Sequence, residues 1–275
     1  MKDEPLGYTY HSHTKRCGHA VGEDEDYVKK AVEGHYQILG FSDHVMLPYD
    51  AQPGMRGDFS LAPGYFKSVR DLQGKYQKQL QIYLAFEAEW YYDRYASYYH
   101  DLLAKGTVDY LLLGQHCFHD GNGIVFYAHL SDKNEATRIY TRDLIAGMRS
   151  GNFIYVAHPD HFMLWNQNWN SVCEECAHQI IDAAKELNMI LEVNMGPSRW
   201  GRRNKIGQEI EVAYPCPEFW DLVAQSGVRV IVGVDDHDPN ELLNSPFDWV
   251  RGFVQKRSLN YIDRLSLPFS AKPTK

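Results

Sequence analysis

The chain has 275 residues, is 44% hydrophobic and carries a formal net charge of −8. That is enough apolar sequence for one large core, and α/β barrels commonly run to this length as a single unit. The acidic balance, with no basic tail or run, argues against a nucleic-acid or membrane-surface binder, although an acidic protein takes an anionic substrate where metal ions reverse the local sign.

The first segment with strand character, Tyr8–Tyr10, runs straight into His11-Ser12-His13. Alternate strand residues face one side, so both imidazoles of an HxH can converge on one ion. His19 lies six residues further, in a loop with Cys17 and Gly18, and can fold back over the same mouth. Cys17 is a weaker candidate in such nitrogen- and oxygen-rich company. A helical pattern over Asp26–Glu33 runs up to Gly34. The second strand, Ile38–Ser42, ends abruptly in Asp43-His44. Charge at the end of an apolar strand is costly unless it is paired or metal-bound, and Asp43 is read as the carboxylate that orients a ligand imidazole.

Residues 48–63 (PYDAQPGMRGDFSLAP) read as a long functional loop insertion within one domain, followed after Pro-Gly by a helix over Tyr65–Leu80. The third strand, Ile82–Phe86, delivers Glu87 as the candidate ligand, with Glu89 on the same face as its fallback. The fourth, Tyr110–Leu113, leads to His116. A helix over Thr137–Met148 precedes the fifth strand, Phe153–Ala157, which leads to His158. His119 and His161 trail those two histidines by three residues; His161 has a claim to the edge of the site, while His119 reads as plain loop. Cys173 and Cys176 form a CxxC inside a helical pattern, Ser171–Leu187, with no second pair, and are read as packing cysteines.

The sixth strand is Ile190–Val193; a helix over Pro217–Gln225 precedes the seventh, Val228–Val234. That last strand ends in Asp235-Asp236-His237, whose spacing puts Asp235 and His237 together and Asp236 away. His35, His100, His129 and His178 fall in helical or loop contexts and are read as structural or exposed. Alternating strands and helices mean parallel strands with crossover helices, and seven such units point to barrel-like closure, with an open doubly wound sheet as the alternative. Candidate ligands follow six of the seven strands at their C-terminal ends, where α/β barrels build active sites.

In order along the chain, HSHTKRCGHA, GFSDH, FEAEW, GQHCF, AHPDHF and VDDHDP resemble the successive motifs of the PHP (polymerase and histidinol phosphatase) superfamily. Within it, the chain most resembles the monofunctional histidinol-phosphate phosphatases, whose asparagine–arginine stretch corresponds here to Asn194-Met195-Gly196-Pro197-Ser198-Arg199. The resemblance implies a distorted (β/α)7 TIM-like barrel and three divalent ions of zinc, iron or manganese. One ion would take His11, His13, Glu87 and Asp235; a second would share Glu87 and add His116 and His158; a third would take His19, His44 and His237. Ala85 stands where the family has glycine, and AHPDHF continues into an unusual MLWNQNWN.

A phosphate monoester is extremely resistant to unaided hydrolysis, and paired divalent ions neutralise phosphoryl oxygens, supply hydroxide near neutral pH and screen the leaving alkoxide. The expected reaction is hydrolysis of a small phosphorylated metabolite, L-histidinol phosphate in first place, by a hydroxide shared between the two ions on Glu87. Arg199 would grip the phosphate, with Arg202 and Arg203 as neighbours, and Asp160 or His161 would protonate the leaving oxygen. The loop at 48–63 and Trp165, Trp169 and Trp200 are candidates for a lid. A phosphodiesterase or nuclease on nucleotides would call for a basic groove, and a non-catalytic metal-binding module would have no use for an arginine beside the cluster. No apolar run reaches the roughly 18 residues of a membrane span, and a cytoplasmic protein is expected.

Overall fold

The computed structural model describes residues 3–197 and 213–267. Short apolar strands alternate with amphipathic helices, and most strands of the sheet are buried on both faces. One face packs against the helices, and the other turns into the curled interior of the sheet. The strands are β1 (Tyr8–Thr9), β2 (Ile38–Phe41), β3 (Gln81–Ala88), β4 (Tyr110–Leu113), β5 (Cys117–His119), β6 (Ile124–Phe126), β7 (Tyr155–Val156), β8 (Ile190–Asn194), β9 (Arg229–Gly233) and β10 (Asn260–Tyr261). Eight of them form one parallel sheet in the order β1-β2-β3-β4-β7-β8-β9-β10, while β5 and β6 make a separate antiparallel hairpin.

The helices are α1 (Asp24–Glu33), α2 (Ala62–Tyr76), α3 (Asp93–Ala104), α4 (Lys133–Arg149), α5 (Ser171–Glu186), α6 (Pro217–Ser226), α7 (Glu241–Asn244) and α8 (Phe247–Arg257). Asp132 caps α4 and Asn170 caps α5 by accepting from two backbone amides each. The expected helix over Tyr65–Leu80 begins three residues earlier, because Pro63 is accommodated in the first turn, where its missing N–H costs nothing.

The sheet curls until its ends meet. Beyond β1 and β9, Ser12 bridges Asp236, the His13 amide donates to the Asp236 carbonyl (2.9 Å), and the Asp235 amide donates to the His11 carbonyl (3.0 Å). At the other end of the seam β10 runs beside the first residues of β9, and the Tyr261 hydroxyl lies 2.8 Å from that of Tyr8. The seven expected strands are all present, and the sheet is the curled parallel sheet of a distorted TIM-like barrel with β10 added.

Inside, period-two alternation sorts the side chains. Ile38, Tyr83, Ala85, Tyr110, Leu112, Tyr155, Ala157, Ile190 and Ile231 form an inner cluster with Tyr8 and Tyr10, while Leu39, Phe41, Leu84, Phe86, Leu111, Leu113, Val156, Leu191 and Val193 belong to the larger core facing the helices. The interior tyrosines form a floor: the Tyr110 hydroxyl donates to the Tyr10 carbonyl (2.7 Å) and rests where Gly40 has no side chain. Above this floor the inward positions become acidic and histidine-rich.

Candidate metal centre

β3 places Glu87 at the middle of that upper layer, 1% exposed. Its Oε2 faces His11 Nε2 (3.4 Å), His13 Nε2 (3.5 Å) and His44 Nδ1 (3.1 Å), whereas its Oε1 faces His158 Nε2 (2.7 Å) and His116 Nε2 (3.5 Å). Asp235 stands opposite, with Oδ1 3.2 Å from His13 Nε2 and 3.5 Å from His11 Nε2. Gly114 makes room for Glu87, since a Cβ there would fall 1.9 Å from Oε1. Two residues of the cluster, His158 and Asp235, have positive φ (31° and 53°), a backbone cost that such sites commonly store.

Around His11, His13 and Glu87 the ligand atoms lie within 4.8 Å of one another, as they do for His11, His158 and Asp235 and for His44, Glu87 and His116. On the outer side the same holds for His13, His44 and His237, and for Cys17, His19 and His237. His19 Nε2 is 3.1 Å from His237 Nε2, and its ring centroid is 5.3 Å from that of His44. All nine residues anticipated as ligands thus converge, although they come from positions 11 to 237. Cys17 comes with them, its thiol pushed up to about 12 by burial.

The donor set fits divalent cations. The buried nitrogens His11 Nε2, His13 Nε2, His44 Nδ1 and His158 Nδ1 have no hydrogen-bond partner, which is costly unless a cation takes the lone pair. Burial, the largest influence on Glu87, would raise its pKa, yet His116, His11 and His44 hold it well below the usual range; His11 and then His13 do the same for Asp235. His11 is raised well above its ordinary value because Glu192, Asp235 and Glu87 outweigh its desolvation. The close carboxylates of Asp235 and Asp43, with Glu87, likewise outweigh desolvation and bring buried His13 to about 9. Glu87 and Asp235 thus keep their negative charge at the middle of the cluster. His44 and His237 move the other way, first by burial and then by His13, His237 reaching about 3.

A supporting shell, largely unanticipated, holds these groups. Glu192, a charged residue in the apolar strand β8, accepts from His11 Nδ1 (2.9 Å), the Tyr155 hydroxyl (3.0 Å), the His158 amide (3.2 Å) and Asn194 Nδ2 (2.9 Å). It fixes the tautomer that turns His11 Nε2 to the centre. Period-two alternation in ILEVN was the available signal for it. Asp43 accepts from Thr14 Oγ1 (2.6 Å) and the His44 amide (3.1 Å), with His13 Nδ1 at 3.8 Å, a second-layer position. Glu89 faces away from the centre, to Arg56 Nη2 (2.9 and 3.0 Å) and His116 Nδ1 (3.0 Å). Asp236 turns aside to Ser12 Oγ (3.0 Å).

Asp160 is fully buried; its Oδ2 accepts from the Cys216 amide (2.6 Å) and Trp220 Nε1 (2.9 Å), and burial pushes its carboxyl up to about 7. His161 sits at the edge of the cluster, ring centroids 5.1 Å from His116 and 4.9 Å from His158, with Tyr214 at 5.4 Å. Trp165 is a wall, not a lid: it is 7% exposed, stacks on Tyr127 and donates Nε1 to Thr137 Oγ1 (3.2 Å). His35, His100, His129 and His178 lie exposed on the surface. Arg199, Trp200, Arg202 and Arg203 fall outside the described residues. All five cysteines are free, and among the described residues no helix is long and apolar enough to cross a membrane.

A curled parallel sheet with histidines and carboxylates gathered at its C-terminal rim defines a barrel protein built to bind divalent metal. The chain belongs to the PHP domain family, whose pattern matches residues 9–196. It is 24% identical over 241 residues to a "Probable histidinol-phosphatase" of Deinococcus radiodurans, spanning 84% of this chain and 86% of that one. A histidinol phosphate phosphatase from Lactococcus lactis subsp. lactis, solved with zinc, L-histidinol and phosphate, superposes with a TM-score of 0.68 at 16% identity, covering 94% of this chain and 95% of that one. A Listeria monocytogenes structure, proposed to be the histidinol phosphatase hisK, gives 0.67 at 18% identity, covering 85% and 96%.

Proposed function

We propose that this PHP enzyme is a metal-dependent phosphomonoesterase acting on L-histidinol phosphate, releasing L-histidinol and phosphate, with three divalent ions (zinc, iron or manganese) at its centre. The observation that carries this reading is the division of Glu87: one oxygen toward His11 and His13, the other toward His116 and His158. That is the arrangement of a carboxylate bridging two positions. His11, His13, Glu87 and Asp235 would hold one ion, Glu87, His116 and His158 a second, and His19, His44 and His237 a third, with Cys17 beside it. The bound ions supply positive charge for the phosphoryl oxygens and lower the pKa of water.

The remaining work falls to the chain itself. Glu192 and Asp43 hold His11 and the His13–His44 pair in register, and Arg199 is assigned the phosphate grip. Asp160 keeps a proton near neutral pH and is assigned general acid, whereas His161, held neutral by burial and by His158, is assigned hydrogen-bond donor to the leaving oxygen. The substrate's ammonium and imidazole suit an acidic protein of net charge −8. Five free thiols suit a reducing compartment such as the cytoplasm.

The test is turnover of the purified chain, loaded with zinc, manganese or iron, on a panel of phosphate mono- and diesters together with elemental analysis. Preference for histidinol phosphate supports the assignment. Preference for nucleotide diesters replaces the substrate, and metal binding without turnover of any ester reduces the chain to a binding module.

A further inference from the structure

Arg56 is the only lysine or arginine among the described residues that is fully buried, 3% exposed, and it comes from the long segment between β2 and α2. Its guanidinium is committed to the protein on every side. Nη2 donates to both oxygens of Glu89 (2.9 and 3.0 Å), Nη1 to the carbonyl of Val45 next to His44 (3.1 Å), and Nε to Gln52 Oε1 (2.9 Å). Gln52 in turn accepts the Met55 and Arg56 amides (3.1 Å each) and reaches Cys117 Sγ next to His116 (3.4 Å). Glu89 takes the Nδ1 of His116 (3.0 Å), so that Nε2 points at Glu87. Two residues before Arg56, the Gly54 carbonyl lies 3.1 Å from His19 Nδ1.

We propose that Arg56 is a positioning residue that couples the order of the 48–63 segment to occupation of the metal position at Glu87 and His116. The inference rests on reading the cluster as a metal centre. Arg56 does not touch substrate, because its fork is spent on Glu89, Val45 and Gln52. What it does is hold Glu89 in place as the acceptor for His116. Without the guanidinium, Glu89 is a buried carboxylate left with the His116 ring as its remaining side-chain partner, a costly state that relaxes by moving one of the two. Either movement rotates His116 Nε2 off the line to Glu87. The same contacts close the turn at 52–56, so a cation fixing His116 fixes Glu89, Arg56 and the turn in series. Coupling of this kind is reciprocal: order in the segment tightens the metal, and the metal orders the segment.

Amide hydrogen exchange of the full chain, read by mass spectrometry with zinc bound and after chelation, tests this. Zinc should slow exchange within residues 48–63, and the metal-dependent part of that protection should vanish in Arg56→Gln and in Arg56→Lys, which keeps the charge but loses the fork. Zinc affinity at one position should fall by about 10–100-fold, and the visible absorption of the cobalt-loaded chain should change. The double variant Arg56→Gln/Glu89→Gln, which removes both members of the pair and leaves no uncompensated charge, should show the same loss of protection, so the result does not depend on the single arginine variants folding. Exchange in the unaltered chain that is indifferent to zinc, or wild-type zinc affinity in Arg56→Gln, overturns the coupling while metal-dependent ester hydrolysis still stands. An unaltered chain that binds no divalent metal overturns both.

Discussion

Gly114 touches no ligand of the centre through a side chain of its own, yet it should be among the most sensitive positions in the protein. An added Cβ would sit 1.9 Å from Glu87 Oε1, 2.4 Å from its Cδ and 2.5 Å from its Cγ. Restoring ordinary contact at 3.4 Å requires a shift of 3.4 − 1.9 = 1.5 Å. The Glu87 carboxylate is hemmed in by five imidazoles and cannot yield by that distance without leaving them. Gly114→Ala should therefore cost about 1–3 kcal/mol of stability through overpacking. A misplacement of about 1 Å at a reacting centre costs about 10²-fold, so ester turnover should fall at least that far, with a loss of bound metal. The assays are elemental analysis, phosphate release and thermal unfolding. Gly74→Ala is the control: it lies in α2 with nothing within 4 Å of the added atom, and should be neutral or stabilising by about 0.4–1 kcal/mol. A Gly114→Ala protein with wild-type metal content and turnover refutes the placement of Glu87 at the heart of the site.

Glu192→Gln keeps the shape but weakens the acceptor for His11 Nδ1, and calorimetric titration should show about 10–100-fold weaker metal binding, with unchanged affinity counting against the supporting role. Asp160 links stability to pH: its folded pKa of about 7 lies above its ordinary 3.8, so its contribution is fully present below pH 3.8 and lost as pH rises through 7, on the order of 4 kcal/mol at most. Asp160→Asn, which cannot ionise, should gain on the wild type in melting temperature between pH 5 and pH 8; a pH-independent difference would refute the buried acid. Chelation should abolish turnover and lower the melting temperature, with recovery on adding zinc, manganese or iron, because a ligand bound only by the folded chain stabilises it by mass action. An unchanged melt after verified metal removal would contradict the role of cations at the cluster.

The strands were legible because short apolar runs of three to seven residues stood between turn signals, and the ends of most were legible because histidine or carboxylate interrupted them. Helix α3 was missed although Tyr95, Tyr99 and Leu102 recur at helical spacing on its buried face, since a run so rich in tyrosine has weak helix propensity. The two-residue β10 carries too little pattern to stand out, whereas the β5–β6 hairpin had a signal in its Asp120-Gly121-Asn122-Gly123 turn, flanked by strands of only three residues. Glu192 was in plain view in ILEVN, but an inward acid in a strand becomes meaningful only once its neighbours across the barrel are known.

From its residues alone this protein was determined to be an α/β chain with a ring of metal-suited side chains at successive strand ends, because strand periodicity and the cost of burying charge act locally. Which oxygen of Glu87 meets which imidazole, that Glu89 serves His116 and not the centre, and that Arg56 closes the pair were decided by the tertiary structure. Those contacts join residues up to 87 − 11 = 76 positions apart, and the neighbouring pair Asp235 and His11 is 224 apart, so only strand register and closure of the curled sheet set their distances.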